Sequence, residues 1–167
     1  MSCVWGMGMR EIRFRGKGFS NEWFEGYLVN CIDNSRGKDE PMSVIFEPDS
    51  SFYSKGETEG WYQVHPETIC QSTELTDTKG NLIFEGDILE SRASENKADW
   101  KCWLVEYKDG GFCITSKTSK KCRKRSSVEV WQLCADEIEL LGLVIVGNKF
   151  DYPILAESVI GEAECKS

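Results

Sequence analysis

His65 is the only histidine in the chain, so it is the first side chain to consider for acid–base chemistry at neutral pH. It precedes Pro66 in a segment predicted to be extended, and Cys70 follows closely, so a Cys–His nucleophile is conceivable. Such a pair also needs contact between thiol and imidazole and a third group that orients the ring, and proximity along a strand supplies neither. We therefore expect structural roles for both residues.

Glu85 and Asp87 form a second candidate, because two carboxylates separated by Gly86 share one face of an extended backbone. That arrangement suits a metal site or an acid–base pair. The alternative is a tight turn, in which an Asp after a glycine accepts backbone hydrogen bonds. A Mg²⁺ site usually needs further ligands or a phosphate, and we identify none, so we expect the turn.

A basic segment contrasts with the rest of the chain, in which 28 acidic side chains outnumber 20 basic ones and the formal net charge is −8. A local cluster of cations can neutralise several nucleic-acid phosphates, although the excess negative charge elsewhere opposes such binding. The alternative is a solvated loop that balances the acidic surface of its own molecule. The candidate binding residues are Lys117, Lys120, Lys121, Arg123, Lys124 and Arg125.

Three tryptophans flank the basic segment in sequence and offer rings on which bases can stack: Trp100, Trp103 and Trp131. In a β protein, tryptophan more often belongs to the hydrophobic core. Both roles remain open for these side chains.

The eight cysteines lack the close spacing of zinc knuckles and thioredoxin-type motifs, so we expect no metal and no cofactor. Cysteine content is also too low for a disulfide scaffold, and the basic side chains near Arg10 replace the apolar core of a secretory signal. No apolar stretch approaches the ~18 to 20 residues that cross a bilayer. We expect reduced thiols, a cytoplasmic location and no membrane partner.

Short strands separated by turns make up most of the predicted structure, within one compact unit of 167 residues. Alternating side chains from Ile12 to Arg15 and the aromatic, branched run Trp23–Val29 predict an N-terminal hairpin. Residues 30–60 read as a long loop with one strand near 43–46. Further strands are predicted at 61–64, 82–84 and 88–91.

The second half predicts a hairpin, in which Trp103, Val105 and Tyr107 share a strand face and Asp109-Gly110 closes the turn. A strand over 128–133, a short helical turn over 135–140 and a strand over 141–146 follow. Residues 1–8 read as a flexible leader and residues 157–167 as a loose acidic tail. Many short strands with few helical segments favour a barrel over an α/β sheet.

Together, these segments resemble the YopX family of phage and prophage proteins from Met9 to about Leu155, through ordered blocks. The blocks are Arg10–Lys17, Trp23–Leu28, Val64–Gln71, Leu75–Ile88 and Val146–Pro153, whose last member carries a Gly-Asn element followed by a proline. The chain departs from the family pattern at Cys70, Ser72 and Glu74, and also at Lys149. These departures bear on local turn and pocket geometry and leave the fold unchanged.

The resemblance implies a mainly β structure, with an SH3-type barrel over roughly 64–152, an N-terminal β-hairpin extension and few short helices. It makes residues 9–156 a single YopX-like domain of phage or prophage origin. It implies no established activity. The function expected is that of a non-enzymatic accessory protein that binds or assembles, with an unknown protein partner or through self-association.

Two alternatives stay open beside this expectation. The basic segment 117–125 predicts a nucleic-acid-binding module, and an unrecognised active site would make the chain an enzyme. Sensitivity of nucleic-acid binding to salt, and loss of activity on changing His65 or Asp87, separate these possibilities.

Overall fold

Two antiparallel sheets form the framework of the protein, which a computed structural model describes at residues 11–33, 39–48, 60–118 and 127–160. The first sheet has the strand order β4-β3-β2-β1-β5-β6. Its strands are β1 (Phe14–Lys17), β2 (Trp23–Asp33), β3 (Glu40–Phe46), β4 (Trp61–Val64), β5 (Cys70–Thr76) and β6 (Leu82–Phe84).

The second sheet has the order β10-β9-β8-β7-β11, and its faces are covered by two short helices. Its strands are β7 (Asp87–Ser91), β8 (Cys102–Lys108), β9 (Gly111–Thr118), β10 (Ser127–Gln132) and β11 (Leu143–Asn148). The helices are α1 (Ala135–Leu141) and α2 (Pro153–Ile160), and single 3-10 turns lie at Pro66–Thr68 and Lys97–Asp99. Neither helix is long enough to cross a bilayer.

The predicted N-terminal hairpin is confirmed. Its first strand, β1, begins and ends two residues later than predicted, at Phe14 and Lys17. Phe14 pairs with Gly26 and Lys17 with Trp23. Asn21 closes the turn at φ 70°, where a short polar side chain tolerates left-handed backbone. The result places the side chains of β1 beside the first residues of β2.

The prediction of a long loop over 30–60 is wrong for its first half. β2 continues to Asp33, and β3 runs from Glu40 rather than from Ser43. β3 pairs with β2 along its whole length, from Phe46 opposite Tyr27 to Glu40 opposite Asp33. Pairing with a neighbouring strand overrides the polar composition that predicted a loop.

The hairpin of β8 and β9 agrees with the prediction from Asp109-Gly110. Both residues adopt positive φ, 52° and 85°, as the two central residues of a type I′ turn require. Trp103, Val105 and Ile114 then enter one core cluster with α1 residue Ile138. This cluster fills the face of the second sheet toward the first sheet.

The predicted helical turn at 135–140 is confirmed as α1, which ends at Gly142 with φ 58°. Glycine adopts this left-handed C-terminal position without strain, and β11 therefore starts at Leu143 rather than at Leu141.

The prediction of a loose tail from residue 157 is wrong up to Ile160, because α2 continues through that boundary. Pro153 opens the helix, where its missing N–H costs no hydrogen bond. Ala156 and Val159 are buried against Ile88 and Leu104 on the outer face of the second sheet. Burial of these apolar side chains stabilises a helix too short to persist alone.

The SH3-type barrel is not confirmed, because neither sheet closes on itself within the described ranges. β10 and β11 occupy opposite edges of the second sheet and do not pair with each other. The coarser prediction, a mainly β antiparallel fold with few short helices, is confirmed.

Backbone hydrogen bonds at Glu85 and Gly86 join the two sheets. The N–H of Glu85 donates to Gln71 in β5, and the N–H of Gly86 donates to Val105 in β8. The carbonyl of Gly86 accepts from Lys149 just after β11. Gly86 has φ 79°, which favours glycine, and this turn brings β1, β7 and β11 to one place.

Candidate functional site

A groove of about 450 Å³ opens where the first sheet meets β11. We call it the Arg15 groove. Its lining combines aromatic and aliphatic walls with a few polar groups, as small binding sites usually do. The lining residues are Arg15, Trp23, Phe24, Glu25, Asn81, Leu82, Phe84, Ile145 and Asn148.

Arg15 lines the groove and forms an ion pair with the buried Asp87, whose Oδ1 lies 2.5 Å from Arg15 Nη2. The Asp87 side chain is 1% exposed and the Arg15 side chain 15%. The Arg15 guanidinium lies 5.0 Å from the Trp23 ring centre and 4.7 Å from that of Phe84. Two aromatic faces and one carboxylate therefore hold the cation in place.

Asp87 also accepts a hydrogen bond from the N–H of Phe84, at 2.8 Å from Oδ2. Burial raises the pKa of the Asp87 carboxyl, and the charge of Arg15 and the Phe84 N–H partly offset this effect. Arg15 Nε is buried without a hydrogen-bond partner among the described residues. The guanidinium is thus fixed by Asp87 and the rings rather than by a full set of acceptors.

A second polar cluster supports the Trp23 wall from the side of α2. Asp151 receives hydrogen bonds from Trp23 Nε1 at 2.9 Å and from Asn148 Nδ2 at 2.5 Å, and it pairs with Lys17 Nζ at 2.5 Å. Burial alone would raise the pKa of Asp151, but Lys17, Trp23 and Asn148 together hold it below its usual value. The indole is therefore anchored at its nitrogen.

Asp77 positions the opposite wall. Its carboxylate accepts the N–H groups of Lys79 and Asn81, the side-chain amide of Asn81, and the N–H of Ile145 in β11. Burial alone would raise the pKa of Asp77, but these hydrogen bonds lower it on balance. One side chain thus joins the 77–81 turn to β11, which places Asn81 and Ile145 side by side.

The groove gathers residues from the family-like blocks that are far apart in sequence. Arg15 and Trp23 come from the two N-terminal blocks, Asn81 and Phe84 from the central block, and Asn148 from the last. The sequence indicates these blocks but does not by itself identify Arg15, Trp23 or Asn148 as site residues. The available signal was the blocks themselves, since four of the five supply a polar or aromatic side chain to the groove, all except Val64–Gln71.

The functional groups of His65 and Cys70 contact different partners. The His65 ring lies 4.5 Å from Phe19, and its Nδ1 is 3.7 Å from Glu67. The Cys70 thiol donates to the carbonyl of Thr68 at 3.4 Å, and burial raises its pKa. A protonated thiol is a poor nucleophile, so these contacts favour the structural roles expected from the sequence.

Glu85 and Asp87 do not share a strand face, because the turn at Gly86 separates them. Asp87 points inward to Arg15, as described above, and accepts a backbone N–H, which agrees with the predicted turn role. Within the described ranges, no group of three His, Cys, Asp or Glu side chains has the geometry to hold a metal ion.

The basic segment lies almost wholly outside the described residues. Lys117 belongs to β9, whereas the other five candidates lie outside them: Lys120, Lys121, Arg123, Lys124 and Arg125. Their role in nucleic-acid binding stays a prediction.

The three flanking tryptophans differ in exposure. Trp103 is a core residue at 3% exposure, and the ring of Trp131, at 39%, lies 5.7 Å from it. Trp100 is half-buried, donates from Nε1 to the carbonyl of Ser94, and lies under the cation of Arg92. Trp103 is therefore unavailable for stacking on a base.

The model of a protein family described as "YopX protein" matches residues 13–155 of the chain. No curated protein matches the chain in sequence. The matched range includes every residue that lines the Arg15 groove.

The fold is similar to the crystal structure of protein EF1440 from Enterococcus faecalis, with a TM-score of 0.51 and 22% sequence identity. The superposition covers 88% of this chain and 99% of the other. At this identity, the likeness concerns the fold alone.

Proposed function

Because the chain belongs to the YopX family, we propose that it is a phage- or prophage-encoded binding module without enzymatic activity, which takes a protein partner in the Arg15 groove. The observation that carries this proposal is the meeting of separate family-like blocks at one groove. The residues of the groove come from distant parts of the chain. Recognition of one ligand would explain why these separate parts meet there. The bacterial host cytoplasm is the compartment in which such a protein acts.

The walls of the groove favour an apolar side chain of the partner as the group that enters it. Trp23, Phe24, Leu82 and Ile145 are half-buried, so each keeps apolar surface that a partner can cover. Exposed Glu25 lies among the lining residues and can accept a hydrogen bond from the partner backbone. An aromatic or large aliphatic anchor in a pocket is the usual centre of a protein interface.

The groove is already organised without a partner. Asp87 and the flanking rings hold Arg15, Asp151 holds the Trp23 indole, and Asp77 holds Asn81. Side chains fixed in advance lose little entropy on binding, which leaves more of the contact energy for affinity. The carboxylates of Asp87 and Asp151 are both occupied by cations and N–H groups, which suits binding rather than proton transfer.

Capture of partners from phage-infected bacterial cells tests the proposal. Leu82→Arg places a charge in the apolar wall and should abolish capture of a partner that the original chain retains. Tyr107→Arg is the matched control, because Tyr107 is 53% exposed and lies outside the groove lining. Equal capture by both folded variants would exclude the groove, and turnover of a substrate by the purified protein would contradict the non-enzymatic role.

Nucleic-acid binding by the basic segment is the second candidate, favoured by the clustering of Lys117 with the cations up to Arg125. It predicts weak binding of DNA or RNA that declines steeply as salt rises. Replacing the six cations by glutamine should abolish that binding, while Leu82→Arg should leave it unchanged. Binding that persists after the replacement would exclude this segment.

A further inference from the structure

The outer strand of the second sheet, β10, presents an open edge on the side away from the Arg15 groove lining. Val128 and Val130 are each 54% exposed, and Trp131 is 39% exposed. Gln132, at the end of the strand, is exposed as well. The described part of the chain places no strand against this edge.

The register of β10 determines which backbone groups face outward. The N–H of Leu133 donates to Phe112, and Trp131 lies opposite Ile114 in β9. In an antiparallel ladder, every second residue directs both its N–H and its C=O to the same neighbour. Val128, Val130 and Gln132 therefore direct their donors and acceptors away from β9.

The other three sheet edges carry protection in the described residues. At β4, Val64 forms a bridge with Gly18, and the N–H of His65 donates to Lys17. At β11, Leu143 accepts from the N–H of Thr78.

At the β11 edge, Asp77 also accepts a hydrogen bond from the N–H of Ile145, so this donor is not available to another strand. A bulge before Gly147 interrupts the same edge. β6 is only three residues long, and Asp87 accepts the N–H of Phe84 at its end. Short strands, bulges and side-chain acceptors are devices by which proteins prevent strand pairing.

β10 lacks these devices. It is six residues long, has no proline or glycine, and contains one charged residue, Glu129. Glu129 forms an ion pair with Lys101 of the same chain, with Nζ and Oε2 2.5 Å apart, so its carboxylate is held by its own molecule. An edge of this length with exposed valines is a template for a further strand.

We propose that β10 pairs with β10 of a second copy of this chain about a two-fold axis, which joins the two second sheets into one continuous sheet. Antiparallel pairing about Val130 brings each outward-facing residue opposite an outward-facing residue: Val130 opposite Val130 and Val128 opposite Gln132 of the other copy. Their donors and acceptors then satisfy one another.

This register also keeps like charges apart. With the two-fold axis at Val130, Glu129 lies opposite Trp131 of the other copy. Moving the axis by one residue, to Glu129, would place Glu129 of one copy opposite Glu129 of the other. Directly opposed like charges destabilise an antiparallel pair, and opposed β-branched side chains stabilise it. The charge pattern and the exposed valines of β10 thus favour a second copy as the occupant.

Sedimentation of the purified chain over a wide concentration range tests this pairing, with Val130→Lys and Val130→Glu as variants. The original chain should form dimers. Each variant should raise the dimer dissociation constant by about tenfold or more, because the substituted residue meets its own charge at the axis. An equal mixture of the two variants should regain dimers, since opposite charges then meet.

Ile154→Lys provides the matched control, because Ile154 is 81% exposed on α2 and does not belong to β10. It should leave the dissociation constant unchanged, and circular dichroism should show that all variants keep the native fold. A monomeric original chain would overturn the pairing, as would dimers that survive Val130→Lys. This surface is separate from the Arg15 groove, so Val130 variants should still capture the groove partner.

Discussion

At the scale of single residues, Asp87 shows which feature of the site the sequence predicts and which it does not. Its position after a glycine correctly predicted a residue that accepts a backbone N–H in a turn. Its pairing with Arg15 was not predictable from spacing, because the two residues are brought together only by the pairing of β1 with β5 and the turn at Gly86. A buried ion pair leaves no local pattern in a sequence.

We expect Asp87→Ala to lower the free energy of unfolding by about 3–5 kcal/mol, because it leaves the Arg15 cation buried without its carboxylate. Asp87→Asn should cost less, since its side-chain oxygen can still accept the N–H of Phe84. Denaturant unfolding measures both values. Glu157→Ala, at an exposed position on α2, should change stability by no more than about 0.5 kcal/mol. Equal stabilities of the Ala variant and the original chain would contradict this role.

The stability of the protein should fall on acidification below about pH 4, the ordinary range of aspartate. Asp77 and Asp151 have lowered pKa values in the folded chain, so their contribution is present above the unfolded pKa and is lost as pH falls through the folded pKa. Asp87 acts in the opposite sense, because burial raises its pKa and its ionised form costs stability above that value.

Asp151→Asn tests the sign of this pH dependence, because it removes the carboxylate charge that Lys17 stabilises. The free energy of unfolding of this variant should depend less on pH over the acidic range than that of the original chain. Glu157→Gln removes an exposed carboxylate and serves as the control. An unchanged slope for Asp151→Asn would show that the ion pair does not contribute to acid sensitivity.

At the scale of elements, the sequence predicts hairpins well and strand lengths less well. The β8–β9 hairpin follows from local information, because Asp109 and Gly110 determine the turn type. The extension of β2 and β3 depends on the pairing of the two strands with each other, and α2 depends on apolar contact with Leu104. A short stretch of sequence does not show which distant strand or side chain it will contact in the fold.

Gly26 is required by the close approach of β2 and β3. A Cβ atom at this position would lie 2.1 Å from the carbonyl oxygen of Phe46. Gly26→Ala should therefore destabilise the protein by about 1–3 kcal/mol, the range for overpacked interiors. Gly111→Ala is the control, because nothing lies within 4 Å of the added atom. Thermal unfolding of both variants measures the difference, and equal melting temperatures would contradict the steric explanation.

At the scale of the whole molecule, the resemblance to the YopX family is confirmed over residues 13–155, but the SH3-type barrel that it implied is not. Closure depends on whether the terminal strands of a sheet meet. β10 and β11 are kept apart by the intervening strands β9, β8 and β7. Strand order is a property of the assembled fold, so short blocks in a sequence do not determine it.

The two sheets should unfold in one cooperative transition, because Glu85, Gly86 and the Arg15–Asp87 pair join them. Tryptophan fluorescence and far-ultraviolet circular dichroism should give coincident denaturant curves. Asp87→Ala weakens the junction and should shift both curves together. Two separate transitions in the original chain would show that the sheets are independent units.

The Arg15 groove takes lining residues from β1 and from Asn148 near the end of the described chain, and Asp151 anchors its Trp23 wall. During synthesis, the ribosome must therefore release nearly the whole matched range before the indole of Trp23 can find its anchor. Until then, the nascent chain lacks the residues that complete the lining of the groove. We therefore expect a translation product that stops before Asn148 to lack the proposed binding activity, because its groove is incomplete.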